Sequence, residues 1–265
     1  MSILGSAIAP SEGAVVMSSL KGLSEWLHVL IHASCHLDEE LLGRGPSASQ
    51  HLTRAPVLLG GGALARDMLD MFGHDAFAAI YVDPGFEGAV PDSIPVATDW
   101  PGIARMGSHF MVAVSAIEHR ERLIALAIQA GLRPSSPMVS RLAVVARDAE
   151  VADGCAIGHH AVIGPKARLD QHVLVMHNSV VGHDSQIHEG CVLCAGVSIG
   201  GAVCLESGCF IGPNAAIAPR VRVAAGTFMS AGTACLRDVP VRSTLIGNPA
   251  RAIDLSRTMD NRTEP

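Results

Sequence analysis

A strict six-residue repeat of apolar side chains runs through the second half of this chain. It holds seventeen consecutive positions without a change of phase, and these are Val139, Val145, Val151, Ile157, Ile163, Leu169, Val175, Val181, Ile187, Leu193, Ile199, Leu205, Ile211, Ile217, Val223, Met229 and Cys235. Four residues after each comes a small or β-branched side chain. Neither the 3.6-residue period of a helix nor simple strand alternation gives a strict period of six. A hexapeptide β-solenoid does, and the repeat therefore predicts one.

The solenoid predicted by this repeat is a three-sided prism over residues 138–250. If each hexad is a short strand and a turn, three hexads make one triangular coil of eighteen residues. Successive coils then stack at the strand spacing of roughly 4.8 Å. At five corners the residue directly after the inward aliphatic is a glycine: Gly158, Gly164, Gly182, Gly200 and Gly212. Glycine suits a tight corner, so these positions support the prism.

Strands and helices alternate between residues 55 and 137. The apolar runs and turn signals predict strands at 57–59, 77–82 and 110–115, and helices at 63–72, 100–106 and 117–130. This alternation predicts a small parallel sheet. A glycine turn at 60–62 joins the first strand to the first helix, where exposed main-chain N–H groups could hold a phosphate. The sequence G-G-G-A nevertheless lacks the full dinucleotide-binding fingerprint.

The charge and the apolar content narrow the class of protein. The net charge is −6 and only two residues are lysine, which argues against nucleic acid and against an anionic membrane surface as partners. No apolar run approaches the ~20 residues of a membrane span, and the amino terminus lacks the pattern of a secretory signal. Seven cysteines do not form a disulfide framework, so we expect a soluble cytoplasmic protein. Residues 1–54 are expected to form a helical extension with a linker, and residues 251–265 a polar tail.

The eighteen-residue period places a candidate acyl-transfer site at His183. Asp184 follows directly, and a carboxylate beside an imidazole can fix its tautomer and raise its basicity. Gly201 lies one coil above His183 and could present a bare main-chain N–H group. A general base with a backbone donor about one strand spacing away is a workable arrangement for acyl transfer. Turns also favour Gly and Asp for purely conformational reasons, so spacing alone leaves both interpretations open.

Two further sets of side chains recur at intervals of eighteen residues. His159 and His177 share one face of the predicted prism. The second column consists of Asp170, His188 and Glu206. We interpret this column as an exposed charge ladder, which is the simpler account of alternating ionisable groups on a surface.

Five short motifs carry a resemblance to a known family. They are V-V-G-H-D-S at 180–185, C-A-G-V-S-I-G at 194–200 and G-N-P-A-R at 247–251, with V-L-L-G-G-G-A-L-A-R-D at 57–67 and Y-V-D at 81–83. On these residues the chain resembles the NeuD/PglD-type sugar O- and N-acyltransferases of the hexapeptide-repeat family. The resemblance implies a Rossmann-like nucleotide-sugar domain at 55–137 and a left-handed parallel β-helix at 138–250. It also implies a homotrimer that binds acyl-CoA between neighbouring helices, with acetyl-CoA as the expected donor.

The same resemblance implies roles for particular residues. His183 would take a proton from the acceptor amine or hydroxyl, Asp184 would orient it, and the Gly201 N–H would bind the thioester carbonyl. The residues implied in contacts with the sugar acceptor are Gly60, Gly62, Asp83, His177 and Asn178, and those implied in binding acyl-CoA are Gly201, Pro219, Arg237, Asn248 and Arg251. The chain has Leu64 where the family usually has a histidine, which weakens the case for a UDP-sugar in particular.

Two other functions stay open at this stage. The same solenoid serves metal-dependent hydratases of the γ-carbonic-anhydrase type, and His183 and His188 have a suitable spacing. No third histidine occupies a matching place, so we expect no bound metal. A non-catalytic scaffold with a degenerate nucleotide domain would bind no acyl-CoA, whereas an enzyme should be stabilised by its donor. We predict the acyltransferase.

Overall fold

Two kinds of parallel sheet make up residues 55–90 and 94–253, the part of the chain that the computed structural model describes. A five-stranded sheet with three helices comes first, and a solenoid of three long sheets follows. The predicted helical extension at residues 1–54 and the polar tail beyond residue 253 lie outside the described residues. None of the described helices is both long and apolar enough to cross a membrane.

The first sheet is parallel throughout, with the strand order β3-β2-β1-β4-β5. Its strands are β1 (Val57–Leu59), β2 (Ala79–Tyr81), β3 (Val96–Ala97), β4 (His109–Val112) and β5 (Arg133–Pro134), and its helices are α1 (Ala63–Phe72), α2 (Trp100–Met106) and α3 (Ile117–Gln129). The predicted alternation of strands and helices is therefore confirmed. Two edge strands, β3 and β5, were not expected, because two residues beside or containing proline give no strand pattern.

The solenoid strands are two residues long and occur once in every six residues. They are β6 (Met138–Val139), β7 (Val144–Val145), β8 (Glu150–Val151), β9 (Ala156–Ile157), β10 (Val162–Ile163), β11 (Arg168–Leu169), β12 (Leu174–Val175), β13 (Val180–Val181), β14 (Gln186–Ile187), β15 (Val192–Leu193), β16 (Ser198–Ile199), β17 (Cys204–Leu205), β18 (Phe210–Ile211), β19 (Ala216–Ile217), β20 (Arg222–Val223), β21 (Phe228–Met229) and β22 (Ala234–Cys235). Each strand from β6 to β19 pairs in parallel with the strand eighteen residues on, as Val162 does with Val180 and Val180 with Ser198. This register confirms the parallel β-helix with eighteen residues in each coil.

The three sheets form three faces of the prism. The first face contains β6, β9, β12, β15, β18 and β21; the second contains β7, β10, β13, β16, β19 and β22; the third contains β8, β11, β14, β17 and β20. The inward aliphatic residues from Ile157 to Cys235 are at most 2% exposed and form one core. Val139 is 40% exposed because it lies on the first coil, which has no coil below it.

The corner glycines are required by close packing rather than by backbone conformation. Gly182 has none of the positive φ angles found at other glycines of the chain. A Cβ atom at Gly182 would lie 2.6 Å from the carbonyl carbon of Gly200 on the next coil, and one at Gly200 would lie 2.6 Å from the nitrogen of Pro219. These distances leave no room for a side chain. The prediction of glycine corners is correct, but the physical reason is the coil above.

The end of the solenoid differs from the prediction of a tail beginning at residue 251. After β22, the strand β23 (Thr244–Ile246) pairs in parallel with β21, and β24 (Arg251–Ile253) pairs antiparallel with β23. The first face therefore continues for two strands beyond the hexapeptide repeat. Three-residue strands that leave the repeat have no periodic signal, so the sequence did not reveal them.

The α/β unit covers the first face of the solenoid. Outward residues of that face, including Ala156, Leu174 and Val192, share one buried cluster with Leu69 and Met71 of α1. The second face is open and uncharged, and the third face is open and mostly polar or charged. The three faces thus have three different environments.

A fully buried arginine ties the two units together. Arg120 of α3 donates from Nη1 to the carbonyls of Val112 (2.9 Å) and Val114 (3.1 Å), and from Nη2 to the carbonyl of His172 (2.7 Å) in the solenoid. The His172 ring stacks on Phe110 of β4, with ring centroids 5.5 Å apart. Burial lowers the pKa of Arg120 to about 10, so the guanidinium stays charged at neutral pH.

His172 should make the fold sensitive to acid. Burial, with Arg120 acting in the same direction, lowers the pKa of His172 to about 4. Between its ordinary value and pH 4 the unfolded chain takes up a proton at this site and the folded chain does not, so stability falls as the pH falls. We expect the free energy of unfolding to drop by about 2 kcal/mol between pH 7 and pH 5 through this residue.

The comparison that checks this is urea unfolding of wild type and His172→Asn at both pH values. Asparagine does not titrate and tolerates the positive φ of 62° at this position. The variant should lose less stability on acidification than the wild type does. Equal losses in the two proteins would show that His172 is not responsible.

Candidate active site

His183 and Asp184 form the corner between the second and third faces, in the turn that joins β13 to β14. Asp184 adopts a left-handed φ of 57°, and its N–H donates to the carbonyl of Pro165 on the coil below at 2.9 Å. The side chain of His183 is 67% exposed and that of Asp184 is 53% exposed. Both functional groups therefore project from a fixed backbone into solvent.

The two side chains form a close pair. His183 Nδ1 lies 2.7 Å from Asp184 Oδ2. An ionised carboxylate only accepts hydrogen bonds, so Nδ1 carries the hydrogen and donates it to Asp184. The Nε2 nitrogen is then the unprotonated one, with its lone pair free to accept a proton.

Gly201 is the vertical neighbour of His183 on the next coil. The Ala202 N–H donates to the His183 carbonyl at 2.7 Å, and a Cβ atom at Gly201 would lie 2.5 Å from His183 Nε2. The imidazole therefore lies against the bare face of Gly201. Within the described residues the Gly201 N–H has no hydrogen-bond acceptor, so it is available as a donor beside the base.

The same corner continues upward toward the end of the solenoid. Pro219 follows Gly201 by eighteen residues, and the neighbouring Arg220 N–H donates to the Gly201 carbonyl at 2.9 Å. Arg237 lies a further eighteen residues on and is exposed. The turn that contains Asn248 is hydrogen-bonded to β22 through Ala234, which pairs with the Gly247 carbonyl and the Ala250 N–H. Arg237, Asn248 and Arg251 are thus exposed groups at the carboxyl-terminal end of the prism.

His177 and Asn178 occupy a different corner, between the first and second faces. The His177 ring is 5.7 Å from that of His159, which lies on the coil below. His159 in turn pairs through Nδ1 with the Ser140 hydroxyl at 2.6 Å and lies 3.9 Å from Asp70 of α1. The structure brings this corner next to the α/β unit and not into contact with His183.

The glycine turn leaves the amino-terminal end of α1 without a covering side chain. Gly60 has a φ of 112°, and a Cβ atom there would lie 2.7 Å from Val114 Cγ2; at Gly61 it would lie 2.5 Å from Val82 Cγ1. Gly62 precedes the helix with nothing within 4 Å of a Cβ position and no side-chain cap. The N–H groups of the first helical turn are consequently accessible to an anionic ligand.

Asp83 already holds two basic side chains. Its Oδ2 accepts from Arg122 at 2.7 Å and lies 2.7 Å from His119 Nε2, while Oδ1 lies 3.4 Å from the Tyr81 hydroxyl. Burial, and then the Asp83 carboxylate, raise the pKa of Tyr81, whose ring stacks on Trp100 at 4.2 Å. Sequence reasoning missed His119 and Arg122. Their spacing of three residues places both on one face of α3. This spacing was the only feature of the sequence that could have indicated that they act together.

The described residues contain no group of three or more His, Cys, Asp and Glu side chains that could hold a metal ion.

Comparison with solved structures identifies relatives of this arrangement. Perosamine N-acetyltransferase from Caulobacter crescentus, a histidine-to-asparagine variant in complex with CoA and GDP-perosamine, is 25% identical over 76% of this chain and 97% of its own, with a TM-score of 0.69. In its structure the chain is therefore similar to a sugar N-acetyltransferase over three quarters of its length. The acetyltransferase domain of PglB from Neisseria gonorrhoeae (21% identity, TM-score 0.68, 76% and 100% of the two chains) and WeeI from Acinetobacter baumannii (19%, 0.58, 75% and 99%) share the fold. Neither a protein-family model nor a curated protein matches the sequence.

This similarity confirms the resemblance predicted from the sequence, and with it the acyltransferase class. The roles of the individual site residues remain predictions.

Proposed function

We propose that the protein transfers an acyl group, most simply acetyl, from acyl-CoA to an amino or hydroxyl group of a sugar or nucleotide-sugar. The observation that carries this proposal is the position of His183 Nε2 against the bare face of Gly201, whose N–H is free of partners within the described residues. A proton acceptor and an oxyanion donor on adjacent coils are the two groups that direct attack on a thioester needs.

In this mechanism His183 and Gly201 act on opposite sides of the reaction. His183 Nε2 accepts the proton of the acceptor amine or hydroxyl as that group attacks the thioester carbon. The Gly201 N–H donates to the carbonyl oxygen, which becomes negatively charged in the tetrahedral intermediate. Asp184 holds the Nδ1 hydrogen and stabilises the imidazolium until the proton passes to the leaving CoA thiolate.

The donor lies along the corner above Gly201. Arg237 is two coils above Gly201, or about 10 Å at a strand spacing near 4.8 Å. A CoA molecule whose sulfur lies at Gly201 then passes Pro219 and brings its phosphates to Arg237, Asn248 and Arg251. The guanidinium groups are suited to bidentate contacts with phosphate.

The acceptor binds to the α/β unit. Its phosphates lie over Gly60, Gly62 and the open end of α1, at the carboxyl edge of a parallel sheet whose strand order reverses there. Asp83 lies at the same edge, but because its Oδ2 is shared by His119 and Arg122, only the less occupied Oδ1 is available to a ligand hydroxyl. This setting supports a nucleotide-sugar as the acceptor.

The second face supports a homotrimer. Its outward side chains are uncharged in every strand, namely Val144, Val162, Val180, Ser198, Ala216 and Ala234, and the three valines are exposed. A contiguous uncharged strip of this length is a feature of protein contact surfaces. The His183 corner borders this face, so a neighbouring helix packed there would complete the groove for acyl-CoA.

A ligand screen tests the proposal. Thermal unfolding should be measured with CoA thioesters crossed with nucleotide-sugars, followed by mass spectrometry of the acceptor. A thioester at a hundred times its Kd should raise the free energy of unfolding by about 2.7 kcal/mol, and an acylated sugar should form. ADP with acetate is the matched control, since it lacks the thioester and the pantetheine arm. Absence of stabilisation by every thioester would favour the non-catalytic scaffold.

Gly201→Ala should damage catalysis with little effect on the fold. The new methyl group would lie 2.5 Å from His183 Nε2, so the imidazole must move, and a displacement near 1 Å costs about 10²-fold in rate. The control is Ala231→Gly, the reverse exchange at the corresponding position of another corner. The measurement is the rate of CoA release at saturating substrates. Full activity of Gly201→Ala would contradict the placement of the base.

A further inference from the structure

A second histidine–carboxylate pair lies on the third face, and it is directed at a thiol. Asp170 and His188 follow the paired strands β11 and β14, so they occupy one outward column on adjacent coils. His188 Nδ1 lies 2.8 Å from Asp170 Oδ2, and His188 Nε2 lies 3.8 Å from Cys204 Sγ. The thiol of Cys204, the imidazole of His188 and the carboxylate of Asp170 therefore lie in a row in space, as a nucleophile, a base and a group that orients the base.

The carboxylate determines which ring nitrogen faces the sulfur as an acceptor. Asp170 accepts the Nδ1 hydrogen, which leaves Nε2 of His188 unprotonated. The Cys204 S–H can then donate to Nε2, and 3.8 Å is within reach of a hydrogen bond from sulfur because its radius is larger than that of oxygen. Transfer of this proton gives a thiolate beside an imidazolium.

Two further charged groups lie near this pair. Glu206 follows His188 by eighteen residues in the same column, and its Oε2 accepts from the Ala225 N–H at 3.1 Å. Arg222 is in register with Cys204 on β20, and its guanidinium is held by Glu206 at 2.6 Å. Arg222 therefore places a positive charge beside Cys204, which is the kind of surrounding that reactive cysteines have in proteins.

Cys204 differs from the other cysteines of the described residues. Of the six, only Cys204 has a histidine partner. Cys155 lies in the core, and burial raises its pKa to about 12. Cys194 is half-buried like Cys204 and has no histidine partner, and burial raises its pKa to about 11. Cys194 is therefore a natural internal reference for an unactivated thiol.

We propose that Cys204 is a reactive thiol that forms mixed disulfides with low-molecular-weight disulfides. The Cys204 thiolate attacks one sulfur of R–S–S–R, a bond forms between Cys204 and that sulfur, and the S–S bond of the reagent breaks. The other half leaves as R–S⁻ and takes the proton held by His188. Cys204 is oxidised and the leaving sulfur is reduced, so the small disulfide is the only oxidant required.

Disulfide exchange fits this site better than acyl transfer does. Acyl transfer needs a donor for the oxyanion, but the Cys204 N–H is already used by the Val221 carbonyl at 3.0 Å within the sheet. Disulfide exchange forms no oxyanion and needs only an accessible thiolate. The inference does not depend on the acyl-transfer proposal, because it involves a different face and different residues.

The test is peptide-resolved mass spectrometry of the full chain treated with glutathione disulfide. Cys35, which lies outside the described residues, is replaced by serine in every protein so that its thiol does not contribute. Cys204 should form the mixed disulfide about tenfold or more faster than Cys194. His188→Gln should slow the reaction of Cys204 by about tenfold or more, and Asp170→Asn should slow it less.

Glu150→Gln is the matched control, since it removes a carboxylate from the same face without touching the pair, and its rate should equal that of the wild type. Equal rates at Cys204 and Cys194, or a wild-type rate in His188→Gln, would overturn the proposal. Thermal unfolding checks that each variant is folded. Should His188→Gln fail to fold, the Asp170→Asn rate together with the ratio of Cys204 to Cys194 in the wild type decides the question.

Discussion

His183→Asn should lower the turnover number for acyl transfer by about 10²–10⁴-fold. Asparagine cannot accept and release a proton at neutral pH, so the attacking amine or hydroxyl would lose its base. The imidazole is 67% exposed and contributes nothing to the core, and asparagine is well tolerated in turns. The variant should therefore unfold at the wild-type temperature. The measurement is the initial rate of CoA release with saturating acyl-CoA and acceptor.

His109→Asn is the matched control for this experiment. His109 begins β4, at the amino edge of the sheet, and the hydrogen-bond partner of its ring among the described residues is the Ser108 hydroxyl at 3.0 Å. The same exchange there should leave the rate unchanged. Wild-type turnover in His183→Asn, with the fold intact, would refute the assignment of His183 as the base.

Arg120→Met should cost about 3 kcal/mol or more in the free energy of unfolding. The methionine fills part of the buried space but removes three hydrogen bonds, so the carbonyls of Val112, Val114 and His172 lose their charged donor. A buried carbonyl without a hydrogen-bond donor lowers the stability of the fold, because water cannot reach it to replace the lost donor. Urea unfolding followed by circular dichroism measures the loss.

Arg122→Met is the control, on the same helix and two residues further along. Its side chain is 55% exposed and its partner is Asp83, and exposed ion pairs contribute only about 0–1 kcal/mol. The destabilisation by Arg120→Met should therefore exceed that by Arg122→Met clearly. Equal effects would mean that the buried guanidinium does not hold the two units together.

The solenoid could be predicted from the sequence because every coil needs the same pattern of buried residues. A buried position every six residues and a constant coil of eighteen fix both the register and the vertical neighbours. The contact between His183 and Gly201 therefore followed from counting alone. The corner glycines were found by the same repeat, although the coil above them, and not their φ angle, explains their identity.

The contacts that escaped prediction depend on how separate elements pack. Arg120 looks in the sequence like one more polar residue on an amphipathic helix, and only the docking of α3 on the solenoid buries it. The resemblance implies that Asp83 contacts the acceptor, and it does not reveal that the same helix brings His119 and Arg122 to this carboxylate. The contact between His188 and Cys204 runs diagonally between coils, and an eighteen-residue period does not show such pairs.

The most direct test of the account is a crystal structure of the protein with CoA bound. We expect the CoA sulfur to lie beside the Gly201 N–H and within reach of His183 Nε2, with the phosphates toward Arg237. CoA bound elsewhere, or a sulfur remote from the corner of residues 183 and 201, would contradict it.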